Sequence, residues 1–206
     1  MDPEVDELDA AEALVAFGEL RRVRDLAERD IFVLAAHFAD LYGIDADAHG
    51  RLRSLPGGQR ALPLGGDGAP LVWEFAVAEI AAELHVTTAN ARRLVGDALA
   101  IRHRLPRLWR RVYDGAVPSW RARFVAKATK DLTQAQAMVV DNHVADYADG
   151  RLAFKRFADK VAAEVLAADP DAATARERKA AEEEFAKVGQ TTTHGRKTLY
   201  VKSSAA

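Results

Sequence analysis

Cysteine is absent from the 206-residue chain. That excludes disulfide staples and thiolate-ligated zinc, and it fits a reducing compartment. No apolar run approaches the ~18 residues of a membrane span. The opening Met1-Asp2-Pro3-Glu4 is acidic and lacks the layout of a signal peptide. A cytoplasmic protein with no membrane partner is therefore expected. Charge of one sign is also missing in aggregate. The 29 Lys and Arg face 31 Asp and Glu, a net −2, and such a balance speaks against a nucleic-acid binder. Gly-x-Ser-x-Gly, His-Glu-x-x-His and the dinucleotide-binding glycine pattern are missing too. No catalytic residue is assigned and no cofactor is expected, which leaves enzymatic activity undecided.

What is present begins with size. The length suits one sizeable core, or one domain plus an extension. With 49% hydrophobic and 29% charged residues, the composition is that of a globular chain. The net charge conceals a segregation. Between Val86 and Lys130 lie eleven arginines and lysines against only Asp97 and Asp114, a local +9 that leaves −11 for the remainder. This asymmetry points to one face with a polyanionic partner.

Along the chain, residues 1–42 read as a long N-terminal helix, from about Leu8 to Tyr42. Its apolar pattern is dense rather than a clean heptad, so it is not read as a coiled coil; it suits packing along a bundle or against a second copy. Residues 43–70 form a Gly/Pro-rich loop holding Pro56-Gly57-Gly58, Pro63 and Gly65-Gly66-Asp67-Gly68. That composition breaks helices and central strands, and without a following Gly-Lys-Ser/Thr a flexible linker is the simpler reading than a phosphate loop. Residues 71–190 read as a helical domain. Trp73, Val77, Ile80 and Leu84 make one apolar stripe. Further helices span about Ala89 to His103 and Pro106 to Tyr113, and one opens at Pro118-Ser119 with Ser119 as cap. Thr133-Gln134-Ala135-Gln136 spells a capping box, whose helix carries Ala137, Val140, Val144 and Tyr147 on one face and stops at Gly150. Helices then cover about Ala153 to Leu166 and, after Asp169-Pro170, the charged stretch Asp171 to Val188. Residues 191–206 form a strand-like tail. Thr198 to Lys202 has strand composition without a second strand to pair with, which reads either as a frayed end or as the front portion of a longer, truncated chain. The fold class is all-α: a multi-helix bundle with a long N-terminal helix and a strand-like tail.

Val77 to Leu94 fits a helix-turn-helix template. Ile80, Leu84, Val86, Ala91 and Leu94 are apolar where crossing helices meet, and Ala81 is small at the closest approach. His85 occupies the turn position that favours glycine, so a left-handed backbone is expected there. Thr87 or Thr88 caps the second helix. Its outward face carries Asn90, Arg92 and Arg93, the residue types that reach bases and phosphates in a major groove. Arg102, Arg104, Arg107, Arg110 and Arg111 follow as candidate phosphate contacts. Trp109 and Trp120 read as packing residues rather than stacking platforms. Helix-turn-helix geometry also occurs in helical folds that bind no DNA; the +9 segment tilts the balance toward DNA as partner. Asp141-Asn142-His143 with Asp146 is the one cluster of ligand-like residues. His143 and Asp146 lie a helical turn apart, but no third ligand accompanies them and no metal site is assigned.

Several stretches line up with a known family: Leu62-Pro63-Leu64-Gly65-Gly66-Asp67-Gly68-Ala69-Pro70, Glu74-Phe75, Asp97-Ala98-Leu99, and Arg102-His103-Arg104-Leu105-Pro106-Arg107-Leu108-Trp109. They continue in Gly115-Ala116-Val117, Ala122-Arg123, Lys127-Ala128-Thr129 and Ala168-Asp169-Pro170. The sequence resembles the N-terminal domain of bacterial HNH-endonuclease-like proteins, the domain of unknown function 222, which overlaps the 13E12 repeat family. The resemblance runs from about Leu14 to Val201 and implies a C-terminal HNH nuclease module that this chain lacks. Asn142-His143 sits in a capped helix, so the HNH roles are not transferred to it. The function expected from the resemblance and the basic segment together is a non-catalytic, DNA-engaging domain. The alternatives are a free-standing helix-turn-helix regulator, with a homodimer through the N-terminal helix, and a helical protein-interaction scaffold whose arginines pair with acidic surfaces.

Overall fold

The N-terminal helix α1, Ala10–Leu41, starts at a capping box. Asp9 Oδ1 accepts from the backbone N–H groups of Ala11 and Glu12, both at 2.8 Å, and the Glu12 carboxylate accepts from Asp9 N–H at 2.9 Å. Three otherwise orphaned donors are satisfied this way. The computed structural model describes residues 5–44, 59–171, 174, 185–189, 191 and 195–202. These fall into two compact units, Met1–Ala168 and Asp169–Ala206.

In the first unit the C-terminal part of α1 buries Phe32, Ala35, Ala36 and Ala39. The chain then enters a small antiparallel sheet of order β1-β3-β2: β1 Gly43–Ile44, β2 Ala61–Leu62 and β3 Leu71–Trp73. Val72, fully buried, lies opposite both Gly43 and Leu62. Both edge strands are two residues long, while the central strand is the apolar Leu71-Val72-Trp73. The apolar stripe Trp73, Val77, Ile80 and Leu84 is strand at its first residue, Trp73; the helix, α2, begins at Glu74 and runs to Glu83. Backbone pairing to two neighbours outcompetes helical periodicity over so short a run.

Helices α3 (Thr88–Arg104), α4 (Pro106–Tyr113), α5 (Ser119–Ala128), α6 (Gln134–Val144) and α7 (Phe154–Ala168) follow. Pro106 stands at the first helical position of α4, where its missing N–H costs nothing. Thr133 and Gln136 form the expected capping box. At α5, by contrast, the cap is Pro118, without a side-chain bond, and Ser119 is buried inside the first turn. Tyr147 lies past α6 in a 3-10 turn and is 47% exposed, so it leaves the face shared by Ala137, Val140 and Val144.

Helix α3 is the centre of the unit because it is apolar on two sides. Ala91, Val95 and Leu99 pack with Ala39, Val72, Val77 and Ala81 in one cluster. Ala98 and Ile101 pack with Leu108, Val112, Val125, Val140, Phe157 and Val161 in the other. The predominantly helical class is as expected, with seven α-helices among the described residues. None of the described helices is long and apolar enough to cross a membrane.

In the second unit β4 (Phe185–Val188) pairs antiparallel with β5 (Leu199–Lys202), Phe185 opposite Lys202 and Val188 opposite Leu199. The strand-like tail therefore has a partner. That partner comes from the end of the stretch expected to be helical, whose residues 175–184 lie outside the described residues. Phe185-Ala186-Lys187-Val188 follows a dense run of charges, and pairing satisfies the backbone of both strands at once.

Candidate nucleic-acid interface

The turn between α2 and α3 has the expected geometry. His85 adopts φ +52°, the one non-glycine residue with positive φ among those described. Val86 N–H donates to Ala81 C=O at 3.0 Å. Thr87 Oγ1 accepts from Asn90 N–H at 3.2 Å, so Thr87 is the cap. Ala81 and Ala91 are buried at the helix crossing. Val86, expected at that crossing, is 39% exposed. Ile80 and Leu84 line a cleft of about 460 Å³ with Ile31, Leu34 and Phe38 of α1.

Asn90, Arg92 and Arg93 are exposed on the first turns of α3. Beyond them the helix is covered by the Leu62–Pro70 loop. Gly96 permits the approach, since a Cβ there would lie 2.8 Å from Leu64 O. Gly65 is as tightly placed, with a virtual Cβ 2.9 Å from that of Leu99. Gly66 takes φ +83° beside the Arg104 guanidinium. Asp67 reaches out of the loop to cap α6, accepting from Gln134 N–H at 2.8 Å. These residues, read from composition as flexible linker, are instead a fitted loop.

The eight sequence-predicted residues separate into free and engaged groups. Arg102 pairs with Asp40 at 2.7 Å and lies over the Trp109 ring at 5.5 Å. Arg104 is 1% exposed. Its Nη2 donates to Thr129 O at 3.0 Å and to Leu132 O at 2.5 Å, and its Nη1 lies 3.5 Å from Gly65 O. Burial lowers its pKa. It is a clamp between the loop and the α5–α6 connection, and it is not available to phosphate. Arg107 and Arg111 both hold Asp146, at 3.0 and 3.3 Å. Arg110 is exposed beside them and, like Arg93, makes no hydrogen bond or ion pair with another described residue. The structure thus brings Asn90, Arg92 and Arg93 together, leaves Arg110 in a separate cluster, and removes Arg102 and Arg104 from the surface set.

Two lysines that sequence reasoning did not single out complete the exposed group. Arg92, Arg93, Lys127 and Lys130 line a cleft of about 450 Å³ between α3, the loop and the end of α5. Gly65, Gly66, Gly96 and Ala100 contribute its small-residue lining. The carboxylates in it are Asp97 and Asp131. Asp97 is bound by Arg123 Nε at 2.8 Å; burial raises its pKa, while Arg123 and Lys127 pull it back down. Cations on rims around a small-residue floor suit an extended polyanion, which needs point charges at intervals and room for its backbone. Both lysines were inside the +9 segment, so charge counting contained them; their place at the cleft depends on α5 packing against α3.

The remaining polar cluster is structural. Asp141, fully buried, accepts from Arg107 N–H at 2.7 Å and Leu108 N–H at 3.0 Å and so caps α4 from another helix. Burial raises its pKa against those two hydrogen bonds. His143 Nδ1 pairs with Glu164 at 2.6 Å, while Asp146 faces Arg107 and Arg111. The two sequence candidates for metal ligation thus have different partners. Trp109 is half-buried beside Phe32, and Trp120 packs against Phe154.

Fold and cleft together define a predominantly helical domain in which a helix-turn-helix unit adjoins a basic cleft; Arg107, Arg110 and Arg111 line a second one with Asp146. The family model described as domain of unknown function (DUF222) matches residues 59–195, and the chain belongs to that family. No curated protein and no solved structure matches the chain. Helix α1 lies outside the matched residues.

Proposed function

We propose that this chain is a non-catalytic domain that engages DNA through the phosphate backbone, and that it belongs to the type of domain that accompanies an HNH nuclease module and overlaps the 13E12 repeat family. The observation that carries the DNA reading is the group of exposed cations at the cleft, Arg92, Arg93, Lys127 and Lys130, beside Asn90 at the start of α3. The nuclease association rests on the resemblance of the Leu62–Pro70 and Arg102–Trp109 blocks.

A gel-shift titration over a salt series tests the first part. Neutralising about four phosphates gives log K against log [salt] a slope of roughly −3.6. No binding at low salt, or binding without a salt slope, overturns it. Reading the genomic sequence after the Ala206 codon tests the second part, through the presence or absence of an HNH-type His…Asn…His series. The scaffold reading draws on a different observation: Arg102, Arg107, Arg111 and Arg123 are already neutralised by Asp40, Asp146 and Asp97. It predicts that an acidic protein surface, rather than DNA, competes for the remaining cations.

A further inference from the structure

Arg110 and Arg111 follow Arg107 by three and four residues, so all three project from one side of α4. With Pro106 and Asp146 they line a cleft of about 510 Å³. A single carboxylate serves this group. Asp146, in the 3-10 turn after α6, accepts from Arg107 Nη2 at 3.0 Å and from Arg111 Nη1 at 3.3 Å. Arg107 Nη1 also donates to Asn142 O at 2.7 Å. These are the only hydrogen bonds that the three guanidinium groups make to described residues, although each group is rich in N–H donors. Arg110 is exposed and takes part in none of them. Arg111 Nε is buried without a partner, which costs free energy. Three positive charges against one negative leave two in excess at one place.

We propose that this cluster is a binding site for a phosphomonoester, the terminal phosphate of a small molecule or of a DNA strand. Charge is the first argument. A phosphomonoester carries about −1.5 to −2 at pH 7, which answers the excess of two. Its three terminal oxygens also match three guanidinium forks, which grip phosphate in bidentate fashion where a lysine offers only a point charge. A carboxylate brings one charge and leaves a cation unanswered. A phosphodiester inside a DNA strand brings one charge as well, and the next one lies further along the strand. Cations spaced around a floor suit it, as at the cleft of Arg92, Arg93, Lys127 and Lys130; here the cations converge within about one helical turn. Two of the forks are held in advance. Asn142 O and Asp146 fix Arg107, and Asp146 fixes Arg111, so less side-chain freedom is lost when an anion arrives. Asp146 is thus a positioning residue. The inference goes beyond the DNA reading and does not depend on it, because it uses no residue of the Arg92–Lys130 cleft.

Isothermal titration calorimetry of the full chain with inorganic phosphate, at an ionic strength fixed by chloride, is the first test, with one saturable site expected. Arg110→Ala is expected to weaken that binding by about 10-fold or more. The melting temperature of this variant without phosphate stays unchanged, because Arg110 is exposed and bound to no described residue. Arg92→Ala/Arg93→Ala leaves phosphate binding as it is, which separates the site from the other cleft. One oligonucleotide, prepared with a 5′-phosphate and with a 5′-hydroxyl, identifies the source. Tighter binding of the phosphorylated form, lost in Arg110→Ala, assigns the site to a DNA end. Equal binding of the two forms, with the phosphate site intact, assigns it to a small phosphomonoester. A chain that binds phosphate but no DNA sinks the DNA reading and leaves this one standing. No phosphate binding, binding that survives Arg110→Ala, or its loss in the Arg92 and Arg93 double variant overturns the inference.

Discussion

The two ends of α3 carry the same residue type and put it to opposite uses. Arg92 and Arg93 at one end stand in water with their charges available. Arg102 and Arg104 at the other end are drawn inward, one onto Asp40 and Trp109, the other onto backbone carbonyls of the loop and of the α5–α6 connection. The inward end holds the walls of the cleft together, and the outward end lines it. A local charge of +9 is therefore not a measure of binding surface. Part of it is structural material.

The contrast breaks most severely at Arg104. Arg104→Ala removes a buried cation and strands the carbonyls of Thr129 and Leu132, at a cost of about 3 kcal/mol in urea unfolding. Asp141→Ala, which unpairs the buried N–H groups of Arg107 and Leu108, costs about 2 kcal/mol by the same measurement. Gly96→Ala forces the loop away from α3, because Leu64 O has no room for the new methyl; a loss of about 1–2 kcal/mol is expected, with DNA affinity falling as the cleft is deformed. At the outward end the Arg92→Ala/Arg93→Ala double variant changes stability by less than about 0.5 kcal/mol and reduces the salt slope of DNA binding by about 2. A large loss of stability there shows that these arginines, too, are structural.

The smallest effect concerns Glu164. The hydrogen bond from His143 holds its carboxyl below the ordinary carboxylate range; burial opposes it, and the Lys160 hydrogen bond and the charges of both partners add to the lowering. A depressed carboxylate stabilises the fold above its ordinary value and loses that contribution as pH falls through the lowered one. The melting temperature of Glu164→Gln is expected to be less sensitive to acid than that of the parent.

Local signals proved readable. The capping box at Thr133, Pro106 at the head of α4, the left-handed His85 and the cap at Thr87 all lie within four residues of the groups they satisfy, so a short window contains the whole interaction. The same window misleads where the partner is distant. Nothing near Gly65 and Gly66 shows that they lie against Leu99 and Arg104, and composition alone reads them as linker. Nothing near Leu199 shows that its strand pairs with Phe185–Val188. Lys127 and Lys130 gain their place at the cleft only when α5 packs beside α3.

By itself, the sequence determined the helical class, the helix-turn-helix unit and the localisation of positive charge, because periodicity, caps and charge density are properties of neighbouring residues. Tertiary structure alone decided which of those charges remain free. An arginine's long side chain can lie along the protein surface or turn into it. The choice depends on acceptors brought from elsewhere: Asp40 for Arg102, and the carbonyls of Thr129 and Leu132 for Arg104. Burial without such acceptors is too costly, and with them the cation becomes part of the core's polar framework.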